Sequence, residues 1–138
     1  MKLNIELQNI GDDGFHIFCK VTINGKKCRA IIDTGASKTV INSNTFNTLG
    51  LEELIVNDDN QMLGIVPVKM DFTFVKLNSN RLGKFELKDL AVGMVDLEHV
   101  IHQYKKLKIK PFDIIIGGDV LTKGKAVIDY NLKCLTLS

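Results

Sequence analysis

The stretch KCRAIIDTGASKTVIN, Lys27–Asn42, decides how the rest of the chain is read. An apolar run, Ala30-Ile31-Ile32, ends on an acid, and Thr34, Gly35 and Ala36 follow at once. A short run of β-branched residues reads as a buried strand, so the carboxylate of Asp33 is expected to point toward an interior. Burying a carboxylate is costly unless it is paired or hydrogen-bonded, so this acid needs a partner. Asp beside Gly also caps ordinary turns, and Asp-Thr-Gly alone does not decide between the two.

Upstream, FHIFCKVTI alternates, and Asn24-Gly25 is a two-residue hairpin signal. That turn sets Val21 opposite Cys28 and Cys19 opposite Ala30. Downstream, KTVI reads as a short strand. NSNTFNTLG reads as a short helix, with Asn42 or Ser43 as N-cap and Gly50 past its end. EELIVNDDNQMLGIVPVKMDFTFVKL has the pattern of a long hairpin with its tip between Asn57 and Gly64. RLGKFEL and DLAVGMVDL are expected to form a strand pair joined by a tight turn, and EHVIHQYKKLKI two or three helical turns. FDIIIGGD is an apolar strand stopped by Gly117 and Gly118. VLTKG is a helical turn, and KAVIDYNLKCLTLS is a closing hairpin turned at Tyr130-Asn131-Leu132. The dominant period is two, so the fold class is all-β with one or two short helices.

The chain has 138 residues, 45% hydrophobic and 25% charged, which suits one globular domain over 1–138 with residues 1–14 as an N-terminal extension. Its net charge is +2. The basic run YKKLKIK lacks interleaved aromatics, so no nucleic-acid partner is expected. The hairpin register argues against a Cys19–Cys28 bridge, and the spacing of Cys19, Cys28 and Cys134 fits no zinc pattern. Reduced thiols are expected. His16, His99 and His102 have no ligand partner at metal-binding spacing, so neither metal nor cofactor is expected. No run reaches membrane-span length, and the N-terminus shows no signal-like apolar stretch, giving the expectation of a cytoplasmic chain without a membrane partner.

A second apolar strand ending in a turn, DIIIGGDVL (Asp113–Leu121), complements the first. Together, VTINGKKCRAIIDTGASKTVIN and FDIIIGGDVLTKGKAVIDYNLKCLTL resemble the single-domain retropepsin-like aspartic peptidases of clan AA. The resemblance spans Phe15 to Leu137, with the middle matching in pattern alone. It implies a closed acid-protease barrel, one lobe per chain, hydrolysing polypeptides. Its chemistry needs two carboxylates sharing one proton, which activate a water for attack on the scissile carbonyl. The chain supplies one Asp-Thr-Gly, so the resemblance implies a homodimer in which each copy contributes Asp33.

The same resemblance assigns an active-site loop of Thr34, Gly35, Ala36 and Ser37, with Thr34 reaching across the interface. It assigns a psi-loop turn to Gly117 and Gly118. A flap would lie within Val56–Val66, around Asp59, Asn60 and Gly64. Ile32, Val40, Ile65, Val66 and Ile115 are candidate pocket residues. Ser37 and Gly118 replace the Asp and Arg that form an ion pair in many retroviral members. Ala36 offers no hydroxyl to the carboxylate, which points to activity at mildly acidic to near-neutral pH. KLNIEL reads either as an interface strand, with KCLTLS as its partner or as an inner strand, or as an edge strand within one subunit. The alternative function is a non-catalytic peptide-binding or dimerisation module on the same fold.

Overall fold

The computed structural model describes residues 1–11, 14–50 and 73–138. Two short strands, β1 (Lys2–Asn4) and β2 (Glu6–Asn9), precede a hairpin of β3 (Phe15–Ile23) and β4 (Lys26–Ile32). β5 (Val40–Asn42) runs directly into helix α1 (Ser43–Thr48). A long hairpin follows, β6 (Thr73–Leu82) and β7 (Phe85–Val95), then helix α2 (Glu98–Lys106). The chain ends with β8 (Ile114–Ile116), helix α3 (Gly118–Lys123), β9 (Val127–Asp129) and β10 (Cys134–Thr136).

The larger sheet has the order β2-β3-β4-β8-β5-β7-β6, and β6 also pairs with β3. Thr22 lies opposite Arg81 and Ile23 opposite Asn80, so β3 to β6 closes on itself as a barrel with β2 appended. Closure follows from β3 being long and apolar enough to serve two neighbours. Alternate residues Cys19, Val21 and Ile23 point into the barrel beside Ala30, Ile32, Ile41, Val75, Leu77, Val92, Ile114 and Ile116. The opposite face of β3 and β4 is not solvated. Phe18 and Ile31 pack there under Leu97, Ile101, Ile109 and Phe112, which come from α2 and the segments flanking it. The two strands are thus apolar on both sides, which explains the unbroken run at Ile31-Ile32.

Asn24 (φ 47) and Gly25 (φ 80) make the expected hairpin turn, and the register sets Val21 against Cys28 and Cys19 against Ala30. All three cysteines are free. Gly50 (φ 65) stands just beyond α1, where a left-handed residue ends a helix without Cβ strain.

Two details differ from expectation. RLGKFEL is not a strand paired with DLAVGMVDL. It contains the turn itself at Gly83 (φ 61) and Lys84, and β7 continues through Asp89 (φ 53) to Val95 while β6 pairs along its length. A Gly able to adopt positive φ placed the turn earlier than the alternating pattern suggested. KLNIEL, left open between two roles, divides at Ile5. β1 pairs with β10 in the same chain, and β2 pairs with β3. The predicted long hairpin with its tip between Asn57 and Gly64 falls largely outside the described residues, as do Asp59, Asn60, Gly64, Ile65 and Val66. Among the described residues no helix is long and apolar enough to cross a membrane.

Candidate active site

β4 and β8 run parallel, with Ala30, Ile31 and Ile32 beside Ile114, Ile115 and Ile116. The two apolar runs singled out in the sequence therefore end side by side. The loop after β4 and the turn after β8 meet at one end of the barrel. Asp33 continues the ladder by donating its N–H to the Ile116 carbonyl (2.9 Å). The loop then folds back on itself: Ala36 N–H reaches the Asp33 carbonyl (3.2 Å), and Gly35 N–H reaches Asp33 Oδ1 (2.9 Å). This main-chain donor fixes one carboxylate oxygen.

The Gly117-Gly118 turn fastens the loop from behind. Gly118 N–H donates to the Ala36 carbonyl (2.7 Å). A Cβ on Gly117 would stand 2.7 Å from that same oxygen and 2.9 Å from the Lys38 carbonyl carbon, so only glycine fits there. Thr39, fully buried, is the clamp between the two motifs. Its hydroxyl donates to Asp119 Oδ1 (2.7 Å) and accepts from Gly117 N–H (3.0 Å), while its own N–H reaches the same Asp119 oxygen (3.0 Å). Its carbonyl accepts from Gly93 N–H in β7 (3.0 Å). Thr39 and Asp119 were not foreseen as site residues. The usable signal was a second Thr in the loop and an acid directly after the glycine pair.

The structure also corrects the expected burial. Ile31 and Ile32 are buried, but Asp33, Thr34, Gly35 and Ser37 are exposed, and Ala36 is half-buried. The strand ends at the barrel mouth, so the loop emerges from the core instead of entering it. Of the candidate pocket residues, Ile32 belongs to the barrel core, whereas Val40 and Ile115 are half-buried.

The other acids near the C-terminal motif are committed elsewhere. Asp113 accepts from Arg29 N–H (2.8 Å) and from the Thr45 hydroxyl (2.8 Å), tying β4 and α1 to the start of β8. Asp119 serves Thr39, and Asp129 Oδ1 accepts from Leu132 N–H (2.8 Å). Asp33 is thus the acid of this group displayed at the barrel mouth.

Helix α2 contributes a further side chain to this region. The β3–β4 ladder ends with Ile17 opposite Ile32, the residue before Asp33, and His16 is the next residue of β3. The His16 ring meets Tyr104 of α2 edge-on (5.8 Å between centroids), and Tyr104 packs on Phe112 (5.8 Å). Burial pushes the Tyr104 phenol above its ordinary value, and the negative charge of Asp33 adds to the shift. Helix α2 therefore brings a phenol within electrostatic reach of Asp33, a proximity that no local motif announces. Among the described residues no cluster of His, Cys, Asp and Glu is arranged to hold a metal.

The comparisons with known proteins agree with this geometry. The family model described as aspartyl protease matches residues 19–120. The chain belongs to that family. A retropepsin-like aspartic protease from Rickettsia conorii superposes with a TM-score of 0.56 at 19% identity, covering 98% of this chain and 86% of that one. The retroviral protease-like domain of Ddi1 from Leishmania major superposes with a TM-score of 0.57 at 18% identity, covering 88% of this chain and 86% of that one. The fold is therefore retropepsin-like, an all-β barrel with few short helices. No curated protein matches the chain.

Proposed function

We propose that this chain is an aspartic endopeptidase that works as a homodimer, with Asp33 of each copy forming the catalytic pair. The observation that carries the reading is the state of Asp33. It sits exposed at the barrel mouth, one oxygen fixed by Gly35 N–H, while Asp113, Asp119 and Asp129 are tied to other partners. A second carboxylate then comes from a second copy, and a twofold axis beside the loop supplies it.

In the dimer the two carboxylates share one proton, because like charges at close range do not both ionise readily. The ionised member takes a proton from a water held between them, and the water oxygen attacks the peptide carbonyl carbon. The protonated member hydrogen-bonds the carbonyl oxygen, and a proton passes to the leaving nitrogen as the C–N bond breaks. Thr34, exposed at the loop tip, reaches the opposite loop. Gly35 leaves room for an extended substrate backbone.

The test uses a mixed peptide library and sedimentation side by side. Asp33→Asn is expected to abolish cleavage and leave the dimer intact. Cleavage that survives this change refutes the assignment. A wild-type dimer that binds peptides without cutting them supports the non-catalytic module instead.

A further inference from the structure

Four aromatic rings run in file along the face of β3 and β4 that α2 covers. Phe18 lies against Phe112 (6.5 Å between centroids), Phe112 against Tyr104 (5.8 Å), and Tyr104 edge-on against His16 (5.8 Å). Phe18 and Phe112 are fully buried, whereas Tyr104 and His16 are half-buried. The file therefore begins in the core and reaches solvent at its other end. That end is the barrel mouth. The last pair of the β3–β4 ladder is Ile17 and Ile32, and His16 and Asp33 each lie one residue beyond it on their own strands. Phe112 leads through Asp113 into β8, whose last carbonyl, that of Ile116, receives the Asp33 N–H. The negative charge of Asp33 acts on the Tyr104 phenol.

Helix α2 is fastened at both ends, so its ring is held in place. At its start Asn42 accepts from Leu97 N–H (3.0 Å) and donates to Glu98 Oε1 (3.0 Å). At its end the Tyr104 carbonyl accepts from both Leu107 N–H (2.9 Å) and Ile109 N–H (3.0 Å). Lys108 (φ 62) supplies the left-handed residue that lets the chain turn back for the second of these bonds.

A polypeptide cleaved at Asp33 is extended there, and successive residues of an extended chain are only about 3.3 Å apart. The side chains flanking the scissile bond therefore fall beside the acid and meet what surrounds it. A half-buried ring continuous with three others favours a further ring, because aromatic pairs gain more than the area they bury. We propose that Tyr104, with His16 beside it, is a specificity-determining residue that selects an aromatic side chain next to the scissile bond. This inference rests on the endopeptidase reading above and names the side chain that its site prefers.

The measurement is a ratio: kcat/KM for a peptide with Phe beside the scissile bond, over that for its twin with Leu. The concentration of active enzyme cancels in this ratio, so partial misfolding of a variant does not disturb it. The wild type is expected to favour Phe by about 3- to 10-fold. Tyr104→Leu keeps apolar bulk but not the ring, and is expected to bring the ratio down toward about 1. Tyr104→Phe keeps the ring and is expected to hold the ratio within about 2-fold of the wild type. A wild type indifferent to the exchange, an unchanged ratio in Tyr104→Leu, or an equal fall in both variants overturns the proposal. So does loss of all cleavage in either variant, because Tyr104 would then serve the fold or the chemistry and not the selection. A wild-type chain that cuts neither peptide nor any member of the mixed library overturns the endopeptidase reading. Cleavage that ignores Tyr104 overturns this inference alone.

Discussion

The Thr39 hydroxyl joins the two halves of the candidate active site, and Thr39→Val removes it while nearly keeping the shape. The fully buried side chain loses its donation to Asp119 Oδ1 (2.7 Å) and its acceptance from Gly117 N–H (3.0 Å). A hydrogen bond to a charged group contributes about 1.5–3 kcal/mol, and a buried N–H left without a partner costs about 1–3 kcal/mol. The Thr39 N–H still reaches Asp119, so the carboxylate is not stranded, and the expected loss is about 3–5 kcal/mol. With a urea slope of about 1–3 kcal/mol/M, the unfolding midpoint drops by roughly 2 M. The assay is urea unfolding at one fixed protein concentration, because a dimer's stability depends on concentration. Thr39→Ser keeps the hydroxyl and is expected to lose only about 1 kcal/mol for the missing methyl. Cleavage rate should follow the same order, since the clamp holds the loop that carries Asp33. Val and Ser variants equal in stability within about 0.5 kcal/mol would refute the clamp.

Gly117→Ala drives a Cβ to 2.7 Å from the Ala36 carbonyl oxygen, a backbone atom that cannot swing aside, so a loss of about 3 kcal/mol or more and a sharp fall in cleavage are expected from urea unfolding and peptide assays. Ala36→Ser places a hydroxyl donor in the loop after Asp33 and is expected to favour the charged form of the proposed Asp33 pair. The acidic limb of its pH–rate profile should move to lower pH, and an unmoved limb would count against a donor at this position. Burial raises the Cys19 thiol from 9.0 to about 12. Burial also raises Cys28 to about 11, with Asp113 adding to the shift. Because the folded chain holds these protons more tightly than the unfolded one, their contribution is complete below pH 9 and declines as pH rises from 9 toward about 12. Urea midpoints on either side of pH 9 should show Cys19→Ala losing less than the wild type, and Cys19 should resist alkylation until the chain unfolds.

Much of the barrel was legible because its signals are local. Asn24-Gly25 fixed the register of β3 and β4, and the two apolar runs marked the strands that carry the site. Asn42, at the start of α1, shows where local reasoning stopped. It stands at the N-cap but makes no side-chain cap bond. Its amide instead accepts from Leu97 N–H (3.0 Å) and donates to Glu98 Oε1 (3.0 Å), binding α1 to α2 across a long sequence gap. Asp33 is a similar case. The apolar run ahead of it suggested burial, but the barrel ends at that point and the acid faces outward. The turn at Gly83 was misplaced because several polar residues could have served, and pairing with the whole of β6 selected one.

The order of residues in KCRAIIDTGASKTVIN and DIIIGGDVL was enough to define a strand ending in an acid, a strand ending in two glycines, and the family to which that pair belongs. These are short-range features: periodicity, β-branching and the demand for glycine where backbones touch. Tertiary structure alone decided that the two strands run parallel side by side, that Thr39 and Asp119 clamp their ends together, and that Tyr104 stands near Asp33. Each of these depends on which distant segments the closed barrel brings into contact, and the energy of such contacts is invisible until the chain has folded around them.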